Sequence, residues 1–181
     1  MNTITNTKII EKMRDHIRDV PNFPKPGIIF KDITPLLLEA ALFRRAIELM
    51  TDPFRGLGAS RVVSIESRGF LLGAPIALAL EAGLVPIRKS GKLPAARDRV
   101  EYALEYGVDV LEMHCGAVGP ADRVLIVDDV LATGGTAEGA ARLVRGQGAE
   151  VIGFTFLIEL DFLKGRDKLQ EERVEALLHY A

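Results

Sequence analysis

The sequence has one cysteine, three histidines, only a small surplus of negative charge and no long uninterrupted apolar run. A lone thiol, Cys115, makes no internal disulfide, and a structural zinc site needs several Cys or His ligands. The reducing cytoplasm is therefore the expected compartment. Nothing near Cys115 marks it as an activated thiolate, so it reads as inert. His16, His114 and His179 show no mutual spacing suited to a metal and read as structural. Lys and Arg total 23 against 25 Asp and Glu, a net charge of -2. A general polyanion binder would be basic, so neither nucleic acid nor a membrane surface is an expected partner. A local basic cluster can still hold a small anion. The start, Met1-Asn2-Thr3-Ile4-Thr5, lacks a basic region followed by an apolar core, so no signal peptide is expected. The most apolar stretch, Phe70 to Ile87, is broken by Pro75, Glu81 and Pro86. About a dozen uncharged residues precede Glu81, a length that suits a buried helix and not a membrane span. There is no internal repeat and no low-complexity segment.

What is present fits one globular domain. A chain of 181 residues buries about 70% of its unfolded surface and needs no metal or disulfide staple. The 48% apolar and 27% charged fractions exclude disorder. Helical spacing of Ile10, Met13, Ile17 and Val20 predicts a helix from about Lys8 to Asp19, stopped by Pro21. The run 21–27 holds too much proline for helix or central strand. A second helix is expected from about Glu39 to Met50. Arg61–Glu66 reads as a strand, Gly69 to about Gly83 as a helix, and Val85–Arg88 as a short strand. Pro94–Arg99 is small, polar and basic, and reads as a mobile loop. Tyr102, Leu104 and Tyr106 alternate with acidic and small residues, the period of a half-buried strand, and Val110–His114 returns as its hairpin partner. Val124–Val127 is a continuous apolar run, as in a central parallel strand covered on both faces. Ala137, Ala140, Ala141 and Val144 mark a helix face ended by Gly146 and Gly148, and Val151–Leu157 is another strand. Strand–helix–strand repeated in this way predicts an α/β fold, a Rossmann-like parallel sheet flanked by helices.

The chemistry is concentrated in Val124-Leu125-Ile126-Val127-Asp128-Asp129-Val130-Leu131-Ala132-Thr133-Gly134-Gly135-Thr136. A buried strand ends in two adjacent carboxylates, a small-residue loop follows, and a helix begins. Ligands of open α/β sheets sit beyond the carboxyl ends of the strands. Gly134 and Gly135 let backbone N–H groups converge on an anion, and they accept positive φ. Ala132 lies in the same loop, Thr133 and Thr136 add hydroxyl donors, and the helix N-terminus adds partial positive charge. These features make a phosphate cradle. Asp128 and Asp129 cannot bind phosphate directly and suit ribose hydroxyls or Mg²⁺. The implied ligand is a sugar phosphate. The segment is neither a Walker loop nor a dinucleotide fingerprint.

Residues 124–136 resemble the phosphoribosyl-pyrophosphate (PRPP) signature of type I phosphoribosyltransferases. Five other segments narrow the resemblance to the adenine-specific members. Phe23–Leu36 is similar to their base-binding segment and Ile65-Glu66-Ser67-Arg68-Gly69-Phe70 to their pyrophosphate loop. Arg88–Pro94 and Leu104–Gly107 resemble the two ends of their flexible catalytic loop, and Gly165–Leu169 their C-terminal part. The likeness spans residues 20–170. It implies a small N-terminal base-binding hood over about residues 1–35, a flexible loop over about 90–105, Mg²⁺ as cofactor and a homodimer. The implied reaction is adenine plus PRPP giving AMP plus pyrophosphate.

The resemblance also implies roles. Ser67 and Arg68 contact pyrophosphate through backbone N–H groups and a guanidinium, with a strained peptide bond near Ser67. Lys89 is the favoured further pyrophosphate ligand among Arg88, Lys89 and Lys92. Backbone groups of Ile29 and Lys31 read adenine: a C=O accepts from the 6-amino group and an N–H donates to N1, a pattern that a 6-oxo purine reverses. Phe30 stacks on the base and Val130 covers its other face. Glu105 approaches the purine and manages the proton at N7 as N9 bonds to C1. Mg²⁺ arrives mainly with PRPP, with a water-mediated contact to Asp128 or Asp129 left open. Two alternatives stand beside this reading: a phosphoribosyltransferase for xanthine or another base, and a PRPP-sensing regulator that binds RNA or DNA, which the net charge disfavours.

Overall fold

The computed structural model describes residues 3–103, 108–170 and 172–181. The chain divides into two compact units, Met1–Glu48 and Leu49–Ala181. The first holds α1 (Thr3–Asp15), β1 (Arg18–Pro21), β2 (Ile29–Asp32) and the short α2 (Thr34–Leu38). α3 (Ala40–Thr51) crosses the boundary. The first helix is shorter at its C-terminus than its periodicity predicts: it stops at Asp15, and Val20 pairs with Phe30 in an antiparallel ribbon. The ribbon wins there because Pro21 ends any helix while tolerating an edge strand. α2 was not legible from periodicity. Asp32 opens it, its Oδ1 accepting the Thr34 N–H at 2.9 Å.

The second unit contains β3 (Arg61–Ile65), α4 (Gly69–Ala79), β4 (Gly83–Lys89), β5 (Arg97–Ala103), β6 (Val108–His114), β7 (Arg123–Leu131), α5 (Gly135–Gly146), β8 (Glu150–Leu160) and β9 (Val174–Tyr180). They build a seven-stranded sheet of order β5-β6-β4-β3-β7-β8-β9. β4, β3, β7, β8 and β9 run parallel, and β5 and β6 add an antiparallel edge. The sheet is thus mixed where alternation of strands and helices alone predicts a parallel one. Val124, Leu125, Ile126 and Val127 are each 0% exposed, as a central strand requires. Ala137, Ala140, Ala141 and Val144 of α5 pack with Val63, Ile65, Val124 and Ile126 in the core.

Three local expectations are corrected. Arg97–Arg99 belong to β5 and not to a loop, because Arg97 and Arg99 both reach the fully buried Glu112 of β6, at 3.0 and 2.8 Å. The helix that begins at Gly69 ends at Ala79, and Gly83 already starts β4. β7 continues to Leu131, so Asp128 and Asp129 lie inside the strand, 9% and 5% exposed, and not at its end. β9 carries no distinct sequence signal and was missed. No described helix is long and apolar enough to cross a membrane.

Candidate active site

The sharpest local geometry lies where β7 hands over to α5. Gly134 caps α5 with φ +78. An L-residue resists that conformation, and a Cβ there would run into the backbone carbonyl of Gly165. Gly135, by contrast, is the first helical residue and has no positive φ, so only one of the two glycines is needed for its backbone freedom. The first-turn N–H groups of a helix have no intrahelical acceptors. They open into a cavity lined by Asp128, Val130, Ala132, Thr133, Gly134, Gly135 and Thr136, with Leu131, Ala137 and Phe156 completing the wall. The structure therefore brings together seven residues singled out in the sequence.

Asp128 and Asp129 add the electrostatics. Asp128 Oδ1 accepts the Asp129 N–H at 2.9 Å. Burial pushes the Asp128 carboxyl well above the usual carboxylate range, and the Asp129 charge pushes in the same direction. Burial also raises Asp129, while Arg68 pulls it back. Arg68, at the N-cap of α4, places Nε 2.9 Å from Asp129 Oδ2. That oxygen is buried and receives no well-aligned hydrogen bond. A buried carboxylate oxygen without a hydrogen bond, beside a second buried carboxylate, fits a cation or sugar hydroxyls. Gly69 permits this approach: a Cβ there would lie 2.8 Å from Asp128 Oδ1. The Glu66–Ser67 peptide just before α4 is cis.

The basic run at the end of β4 is divided between two carboxylates that the sequence reading missed. Glu66, 5% exposed in its side chain, receives Arg88 Nε at 2.9 Å and Lys92 Nζ at 2.5 Å. Burial works to raise the Glu66 pKa, but the hydrogen bonds from Lys92 and Arg88 carry it below its ordinary value. Lys89 Nζ instead lies 3.0 Å from Asp109 Oδ2. Glu66 ends an apolar strand beside Ser67 and Arg68, a signal that could have found it. Asp109 offers none, being one carboxylate near a turn. Gly165 was singled out only by resemblance, and its contact with the cradle has no local signature.

Ile29, Phe30 and Lys31 lie on β2 of the first unit. Phe30 meets Phe23 edge-on, with ring centroids 5.1 Å apart. Lys31 Nζ pairs with Asp19 at 2.6 Å. Glu105 lies outside the described residues. Among the described residues Glu159, Asp161 and His179 also cluster, but Arg166 already forks onto Glu159 at 2.8 and 2.9 Å.

Residues 39–175 match the Phosphoribosyl transferase domain family. The chain is 56% identical to the adenine phosphoribosyltransferase of Myxococcus xanthus over 178 residues, 98% of this chain and 97% of that protein. The crystal structure of adenine phosphoribosyltransferase from Rhodothermus marinus superposes with a TM-score of 0.93 at 51% identity, covering 96% and 99% of the two chains. The enzyme from Saccharomyces cerevisiae, crystallised with adenine and an imino-altritol bisphosphate, superposes with a TM-score of 0.88 at 39% identity, covering 95% and 99%.

Proposed function

The chain belongs to the phosphoribosyltransferase family, and from that premise we infer that it transfers the phosphoribosyl group of PRPP to N9 of adenine, giving AMP and pyrophosphate in purine salvage. The observation that carries the reading is the cradle: a left-handed Gly134 at the start of α5, beside two buried aspartates. The relatives named above bear the adenine activity along nearly the full chain.

Residues 132–136 take the 5-phosphate through N–H groups and hydroxyls, and Asp128 and Asp129 take the ribose hydroxyls. Ser67, Arg68 and Lys89 receive the pyrophosphate. The bond from C1 to pyrophosphate breaks before the bond from N9 forms strongly, so C1 passes through an oxocarbenium-like state. The departing electron pair stays on pyrophosphate, whose charge the cations neutralise. No covalent nucleophile is required; positioning and exclusion of water supply the rest. Ile29 and Lys31 read adenine through backbone groups, Phe30 and Val130 flank the base, and Glu105 manages the proton at N7. Mg²⁺ fits the buried pair Asp128 and Asp129, in which Asp129 Oδ2 lacks a hydrogen bond, and when bound with PRPP would supply charge neutralisation on the leaving group. The protein acts in the cytoplasm, consistent with its single free thiol. It acts as a homodimer: Leu71 and Leu78 of α4 and Leu84 of β4 are exposed, and a helix apolar all round is normally covered.

The test is a panel of radiolabelled adenine, hypoxanthine, guanine and xanthine with PRPP and Mg²⁺. Adenine alone should give a nucleotide at a substantial rate, and chelation of Mg²⁺ should stop it. Turnover of a 6-oxo purine at the adenine rate would overturn the assignment. Sedimentation at micromolar concentration should give the dimer mass.

A further inference from the structure

Lys89 is held by a group that plays no part in the reading so far. Its ammonium meets Asp109 Oδ2 at 3.0 Å. Asp109 on β6 stands directly across from Tyr102 on β5. The same Oδ2 accepts the Tyr102 hydroxyl at 3.2 Å, and Oδ1 accepts the Val110 N–H at 2.8 Å. Tyr102 is buried and packs on α5, where a Cβ at Gly139 would lie 3.3 Å from the Tyr102 Cβ. A polar chain therefore runs from Lys89 through Asp109 to Tyr102, whose strand packs against the helix that opens at the phosphate cradle.

The two acidic residues of β6 differ in a way that decides what each can do. Glu112 is 0% exposed and is held by Arg97, Arg99, Ser90 and the Gly91 N–H. It cannot release those partners without leaving a buried charge unpaired. Asp109 is 24% exposed in its side chain. If it gives up Lys89, it keeps the Tyr102 hydroxyl and the Val110 N–H and regains water. Its exchange is therefore inexpensive. Lys89 is about half exposed, so an incoming anion can reach it.

We propose that Asp109 is a positioning residue for pyrophosphate: its carboxylate occupies Lys89 in the free enzyme, standing where a pyrophosphate oxygen will bind, and its competition for that ammonium sets the affinity for PRPP and pyrophosphate. Asp109 is displaced from Lys89 when the ligand arrives. This rests on the assignment of Lys89 to pyrophosphate. Asp109→Asn removes both the competitor and a like charge beside the bound anion, while Asn still accepts from Tyr102.

Calorimetric titration of pyrophosphate with Mg²⁺ into the full chain tests this, using wild type, Asp109→Asn, Asp109→Ser, Lys89→Gln and the Lys89→Gln/Asp109→Asn double variant. Thermal unfolding confirms that each is folded, and Asp109→Ser carries the same expectation should Asn not fold. Asp109→Asn should bind pyrophosphate roughly three- to tenfold more tightly, with a parallel fall in the PRPP KM. In the Lys89→Gln background the gain should shrink below about twofold. Unchanged or weaker binding in folded Asp109→Asn, with Lys89→Gln weakened, overturns the proposal. Unchanged affinity in Lys89→Gln instead removes Lys89 from the pyrophosphate site and so overturns the underlying assignment.

Discussion

Gly134→Ala concentrates the argument about the cradle in one methyl group. Gly134 holds φ +78, and placing an L-residue in that region costs about 1–2 kcal/mol. The added Cβ also runs into the Gly165 carbonyl, and relieving such an overlap in packed structure costs typically about 1–3 kcal/mol. Together they give about 2–5 kcal/mol. The chain can respond in two ways. If the loop moves away from Gly165, the N–H groups leave their convergent geometry and PRPP binding weakens by at least about 30-fold, the equivalent of 2 kcal/mol. If the loop stays, the folded state carries the strain, and the unfolding midpoint falls by roughly 4–8 °C or more for a chain of this size. Calorimetric PRPP binding and thermal unfolding, read on one preparation, capture both routes. A variant within about threefold of wild-type affinity and within about 1 °C of its midpoint would refute the reasoning. The loop would then be an ordinary strand–helix turn.

Asp128→Asn should cut PRPP turnover by roughly 10²-fold or more and leave the unfolding midpoint unchanged or higher, because it removes a charge disfavoured by burial and by Asp129; steady-state kinetics and calorimetry check both halves. If Glu105 handles a proton in the transition state, Glu105→Gln should lower kcat by roughly 10²–10⁴-fold with PRPP affinity unmoved, and an unchanged kcat would remove it from the catalytic machinery. Hydrogen bonds from the Thr34 hydroxyl and N–H, then from Arg18, hold the Asp32 carboxyl down to about 2, against an ordinary 3.8. A depressed folded-state pKa means that its contribution to stability is complete above about pH 4 and is lost as the pH falls toward 2. Acid titration of wild type against Asp32→Asn should show the variant less stable at pH 6, with the gap closing by pH 2; parallel curves would refute this account.

The central strands and the turn of carboxylates and glycines between β7 and α5 were legible in the sequence. Those signals are local: a run of four apolar residues, two carboxylates, glycine and threonine before a periodic helix face, all within about a dozen positions. Resemblance added the pyrophosphate and base segments, which spacing alone does not distinguish from packed loops. The folded chain reveals that Asp128 and Asp129 are buried inside β7, Asp128 lying against the start of α4 at Gly69. It alone showed that Gly134, and not Gly135, needs the left-handed conformation, since the constraint comes from Gly165, 31 positions away in sequence. Arg97–Arg99 read as a loop because their polar residues gave no period; the buried Glu112 across the hairpin makes them a strand. Arg88, Lys89 and Lys92 form one basic run on paper, yet Glu66 takes two of them and Asp109 the third. A charge's partner is set by which strands lie side by side, and the strand order β6-β4-β3 is a property of the sheet that no local pattern of residues encodes.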